Sequence, residues 1–131
     1  MNVLIDADAL VALAKSDDSN HTKASAIAKT IQNVPIFLSP FTIPEATTVL
    51  SHRISQVAAA KFLRETRKQT YTVFPLTEEL TGLADELFLS QTTKGTSWPD
   101  CLNMAIAKSY SIDAIFSFDH VYAINGFRVL S

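Results

Sequence analysis

The chain has 131 residues, 47% of them hydrophobic and 18% charged, with a formal net charge of −2. Those values fit one globular domain over 1–131 whose folding buries roughly two-thirds of the unfolded surface without covalent staples. A single cysteine, Cys101, excludes an internal disulfide. The charge excludes a general nucleic-acid coat, and no stretch approaches the ~18 consecutive apolar residues of a membrane span.

Met1-Asn2 runs straight into an apolar segment, so no signal peptide is expected. A reducing, cytoplasmic setting follows from the cysteine count. The spacing predicts a short buried strand over Asn2–Asp6, then a helix over Asp8–Ser16 with Leu10, Leu13 and Ala14 on one face. After the polar break Asp17-Asp18-Ser19-Asn20, a second helix is expected over His21–Gln32. Pro35 ends it, and Ile36–Ser39 reads as a strand. Two helices follow, Phe41–Arg53 and Ser55–Lys68. Thr42 and Glu45 have capping-box spacing in the first of them. Residues 51–70 carry Arg53, Lys61, Arg64, Arg67 and Lys68 against Glu65 alone, a face read first as solvated and second as phosphate-contacting.

Tyr71–Phe74 is expected as a strand and Thr77–Thr92 as a helix opening on acids, as its dipole prefers. Ser97 then caps a helix reaching about Tyr110, with Pro99 in its first turn and Asp100 at the capping-box position. Strands at Ala114–Phe118 and Arg128–Leu130 close the chain. Strands alternating with helices throughout predict an α/β fold. The expected form is a three-layer domain with a mostly parallel sheet of four to five strands and helices on both faces.

Four acids stand at the edges of these apolar segments: Asp6, Glu45, Asp100 and Asp119. In an open α/β sheet the strand C-termini face the ligand crevice, which would direct Asp6 and Asp119 into it. Each acid has a local explanation as well: Asp6 as an N-cap, Glu45 and Asp100 as capping-box partners, Asp119 in an Asx-turn. The explanations are compatible, because a helix N-terminus can hold a carboxylate that also binds a metal. Two carboxylates about 4 Å apart repel by roughly 4 kcal/mol at an effective dielectric near 20. Convergence of all four therefore calls for protonation or a hard divalent cation, and Mg²⁺ or Mn²⁺ suits an all-oxygen donor set.

Leu4-Ile5-Asp6-Ala7-Asp8-Ala9-Leu10, Pro44-Glu45-Ala46, Ser97-Trp98-Pro99-Asp100-Cys101-Leu102 and Ser117-Phe118-Asp119-His120-Val121-Tyr122 occur in that order over nearly the whole chain. The ordered set resembles a PIN domain and is most similar to the small VapC-like toxins of toxin–antitoxin pairs. The resemblance implies a Mg²⁺- or Mn²⁺-dependent endoribonuclease with Asp6, Glu45, Asp100 and Asp119 as its acidic set. Ser117 would hold the site or the substrate phosphate. It also implies RNA as substrate, a homodimer, and a small antitoxin that blocks the groove. Two positions depart from the pattern: Asp8 adds a fifth carboxylate, and His120 directly follows Asp119.

Asn103, one turn beyond Asp100, is a candidate for the same crevice, with Asp8 and Ser117 as further auxiliaries. Trp98 is read as packing over its helix start, with base stacking as the alternative. Cys101 reads as a buried hydrophobe, and His21 and His52 lie too far apart for a zinc site. The other readings are a stand-alone PIN nuclease, a PIN scaffold that only binds RNA or protein, and a haloacid dehalogenase-like phosphatase. The phosphatase reading suffers because Asp119 lacks an acidic neighbour. A phospho-receiver domain is weaker still, since the strand ending at Phe74-Pro75 offers no acceptor aspartate.

Overall fold

A computed structural model describes all of residues 1–131. Five strands, β1 (Val3–Ile5), β2 (Ile36–Leu38), β3 (Thr72–Val73), β4 (Ala114–Phe116) and β5 (Val129–Leu130), form one sheet in the order β3-β2-β1-β4-β5. Every pairing is parallel, so the sheet is wholly rather than mostly parallel. Seven helices accompany it: α1 (Ala7–Ala14), α2 (His21–Thr30), α3 (Thr42–Arg53), α4 (Gln56–Arg67), α5 (Glu78–Leu89), α6 (Trp98–Ser109) and α7 (Val121–Ile124).

Side chains alternate across the strands, and this sorts the interior into two cores. Val3 and Ile5 of β1 pack with Leu38, Phe116 and buried residues of α1, α2, α3 and α4. Leu4 faces the other way and joins Ile115 with Leu80, Leu102, Met104, Ile106 and Tyr122 from α5, α6 and α7. The result is a sheet between two helical layers. Helix α6 is buried from Cys101 through Ala107, so it is the central support of the second core. Burying each large aliphatic side chain there contributes about 1.5–3 kcal/mol.

β1 leads by way of α1 and α2 to β2 on one side, and its other neighbour, β4, comes from the last quarter of the chain. The sheet therefore reverses direction of growth between β1 and β4. A crevice opens beyond the C-termini of strands at such a switch point. Ile5 pairs with Phe116, and the Asp6 N–H donates to the Phe116 carbonyl at 3.0 Å. Asp6 and Ser117 thus leave the sheet side by side.

Two local expectations change. The Thr42–Glu45 capping box does not form, because Phe41 is the N-cap residue, is itself helical and gives no side-chain cap. Ser39 takes over that turn: its Oγ accepts from the Phe41 N–H at 3.1 Å and meets Thr42 Oγ1 at 3.2 Å. Glu45 is left free of capping duty. The unanticipated helix is α7, four residues whose start is fixed by the Val121 N–H donating to Asp119 Oδ1 at 3.0 Å. Gly126, with φ +86°, turns the chain from α7 into β5. A side chain there would be strained.

Candidate active site

The centre of the crevice is Asp6, only 7% exposed. Its Oδ1 accepts from the Ala7 N–H at 2.8 Å and from Asn103 Nδ2 at 3.2 Å. Oδ2 accepts from the hydroxyls of Ser117 at 3.0 Å and Tyr122 at 2.9 Å. Those four contacts fix the orientation of this side chain, and a shared hydroxyl can turn its one hydrogen to a neighbouring acid to leave a lone pair of Oδ2 open. Burial, then the charges of Asp8 and Asp100, still push its pKa up to about 7.

The hydroxyls reach outward to the neighbouring acids. Ser117 Oγ lies 3.1 Å from Asp8 Oδ1 as well, and it accepts from the Asp119 N–H at 3.0 Å. Asp8 Oδ2 accepts from the Phe118 N–H at 3.0 Å, which ties α1 to the end of β4. Tyr122 Oη lies 3.3 Å from Asp100 Oδ1 and accepts from Asn103 Nδ2 at 2.9 Å. Each hydroxyl has one hydrogen and two carboxylates within reach. Each can therefore satisfy one acid at a time.

Asp100 is held from its own helix. Its N–H donates to Ser97 Oγ at 3.2 Å, and its Oδ2 accepts from the Ser97 N–H at 3.2 Å, completing the expected capping box. Burial first, and then the charge of Asp119, raise its pKa. Glu45, on the first turn of α3, makes no side-chain hydrogen bond; burial and the charges of Asp100 and Asp8 hold its carboxyl above the ordinary range. Asp8 is raised chiefly by burial, with Asp119 adding to it. Asp6, Asp8, Glu45 and Asp100 are thus each raised in part by a neighbouring acid across a single crevice. The two ion pairs of the chain, Met1 with Asp113 and Lys15 with Asp17, involve none of them.

An all-carboxylate donor set carrying uncompensated charge suits a hard divalent cation. No three of these side chains converge closely enough to form a finished cage. Ligation by several at once therefore requires side-chain movement. Glu45, whose carboxylate has no hydrogen bond, is the acid freest to make it.

Asn103 lies as anticipated, 2% exposed against Asp6. Its Oδ1 is the one buried side-chain polar atom without a hydrogen-bond partner. Leaving such an atom unpaired costs about 1–3 kcal/mol, so both amide donors being spent on Asp6 and Tyr122 has a cost to stability. Tyr122 was not singled out from the sequence. Its signal was chemical: a tyrosine near a crevice, if buried, needs a partner for its hydroxyl. Trp98 packs edge-on against Phe41 at 6.0 Å and donates its Nε1–H to Asp85 at 2.7 Å. Cys101 is wholly buried, and the His21 ring bonds the Ala12 carbonyl at 2.7 Å. His120 is exposed beside Asp119 and makes no side-chain bond.

The family model of the PIN domain matches residues 3–126, from the first residue of β1 through the glycine turn after α7. The chain belongs to the PIN domain family. No curated protein sequence matches this PIN domain. Solved structures share its fold. Mycobacterium tuberculosis VapC20, described as a sarcin–ricin loop cleaving toxin, superposes with a TM-score of 0.86 at 20% identity, covering 96% of each chain. VapBC2 from Rickettsia felis, bound to a DNA fragment from its promoter, gives 0.74 at 12% identity over 98% of this chain and 97% of the other. FitAcB from Neisseria gonorrhoeae gives 0.66 at 15% identity over 98% and 96%. At these identities the likeness is one of fold.

Proposed function

We propose that this PIN domain is a Mg²⁺- or Mn²⁺-dependent endoribonuclease, working as a cytoplasmic homodimer and as the toxin of a toxin–antitoxin pair. The observation that carries the reading is the gathering of Asp6, Asp8, Glu45, Asp100 and Asp119 at the β1–β4 switch point with no basic side chain in ion-pair contact. Fold likeness to VapC20 and to VapBC2 supports the toxin reading and a small protein partner.

Asp6, Asp100, Asp119 and Glu45 would hold the metal, with Asp8 as an auxiliary. When bound, the ion supplies a water of lowered pKa and neutralises charge on a phosphoryl group. Asp6 serves as the fixed point of the site, since its four donors prevent reorientation. Asn103, Ser117 and Tyr122 hold it there. Asp100 and Asp119, nearer solvent, face the incoming strand, and Asp119 is oriented by the Val121 N–H. With the 3′ oxygen as leaving group, as the family resemblance implies, attack of water would give a 5′ phosphate and a 3′ hydroxyl.

The test pairs calorimetric Mn²⁺ binding with cleavage of total RNA, using wild type and Asp100→Asn. Expected results are cleavage that stops in EDTA, and a variant that melts normally yet loses both binding and at least about a hundredfold in rate. Cleavage that survives chelation, or a fully active Asp100→Asn protein, sinks the proposal.

A further inference from the structure

Two open grooves border the acidic crevice and share one lining residue, Asn20. The first, of about 350 Å³, runs from Asp8 and Glu45 past Asn20 to Arg53 at the end of α3. The second, of about 420 Å³, runs from Ser117 and Asp119 past the same Asn20 to Lys23 and His120. Each volume lies within the range of small-ligand sites. Arg53 shares its groove with three carboxylates, yet forms no ion pair with any of them, and Lys23 is likewise unpaired beside Asp119. Asn20 is the N-cap residue of α2 but gives no side-chain cap. Its amide is therefore free at the junction.

A strand crossing the crevice has to bring phosphates past a strongly negative centre. Cations on both flanks answer that difficulty, and here each groove has an acid of the centre at its inner end and a free cation farther out. We propose that the grooves are the two arms of the RNA path. Arg53 binds a backbone phosphate on one side of the cleaved bond, Lys23 binds one on the other, and the Asn20 amide spans the point between. The proposal rests on the ribonuclease reading and adds the route and register of the strand. The basic face of α4 (Lys61, Arg64, Lys68) is not part of this route.

The experiment measures binding of a short fluorescein-labelled single-stranded RNA of mixed sequence by anisotropy, across a salt series. It is done in Ca²⁺ and in the Asp100→Asn background, with cleavage kinetics run in parallel on the otherwise wild-type protein. Lys23→Ala and Arg53→Ala should each weaken binding and each flatten the salt slope by about 0.7, the value for one phosphate contact on a single strand. The double variant should flatten it by about 1.4. In cleavage, KM should rise about tenfold in the double variant while kcat stays within about twofold, as for loss of uniform binding. Lys29→Ala and Lys61→Ala should do neither. An unchanged slope in the double variant, or equal losses in the control lysines, overturns the two-arm path while leaving the nuclease intact. A wild-type protein that binds this RNA without cleaving any RNA refutes the ribonuclease reading instead. In that case the slope change alone decides whether the arms are binding sites.

Discussion

Replacing Asp6 with asparagine should stabilise the metal-free protein even as it destroys metal binding. Burial and the charges of Asp8 and Asp100 raise the Asp6 pKa from 3.8 to about 7. Between those values the folded carboxyl keeps a proton that the unfolded chain has released. Wild-type stability therefore falls as pH rises through that window, with the penalty absent below about 4 and complete above about 7. At ~1.4 kcal/mol per pH unit the full penalty is on the order of 4 kcal/mol. Asparagine removes the charge and keeps the shape. Its oxygen can accept from Ala7 and Asn103. Its NH₂ can then donate to Ser117 and Tyr122, whose own hydrogens become free for Asp8 and Asp100. Burying the amide retains part of the cost, so a gain of about 2–3 kcal/mol is expected at neutral pH and above. For a chain of this size that is roughly 6–10 °C in melting temperature. Melting both proteins by circular dichroism in EDTA from about pH 4 to about pH 8 tests the argument. The curves should separate as pH rises. Adding Mn²⁺ should raise the wild type alone, by about 2.7 kcal/mol at a hundredfold excess over Kd. An asparagine variant that melts below wild type by the same margin at every pH would refute the reasoning.

Ser97→Ala removes the Oγ half of the α6 capping box and should cost about 1 kcal/mol in urea denaturation, while the retained Ser97 N–H still holds Asp100 Oδ2. Tyr122→Phe deletes a donor that favours the charged form of Asp6, so the pH midpoint of Mn²⁺ binding should move alkaline in calorimetry. Leu102→Ala, at a fully buried position of α6, should lower stability by 2–5 kcal/mol, the usual range for such a cavity.

The periodicities of the chain revealed its central strands and long helices because these bury apolar side chains. Asp6 and Asp100 were legible for a related reason: one follows a buried strand, the other sits at a defined place after a helix cap. Asn103 followed from Asp100 by one helical turn. Glu45 was legible as an acid but not in its local setting, since the turn is organised by Ser39, and nothing in the spacing distinguishes that from a cap by Thr42. Helix α7 is too short to show a period. Tyr122 stayed hidden with it, because its role depends on a hydroxyl meeting residues 19 and 116 positions away. Lys23 was an ordinary surface cation in the sequence and Arg53 one member of a basic run, and only the folded chain sets the two around Asn20.

The first strand lies in the middle of the sheet, and one of its two partners is made last. During synthesis β1 emerges early, yet its pairing with Ala114–Phe116 has to wait until the final quarter of the chain has left the ribosome. The site is divided in the same way, with Asp6 from the beginning and Asp100, Ser117, Asp119 and Tyr122 from the end. A prematurely terminated chain therefore carries half of an acidic centre and an open sheet edge. Such a fragment lacks an assembled site and offers much that a cellular protease can recognise. Only a finished polypeptide brings the acids together.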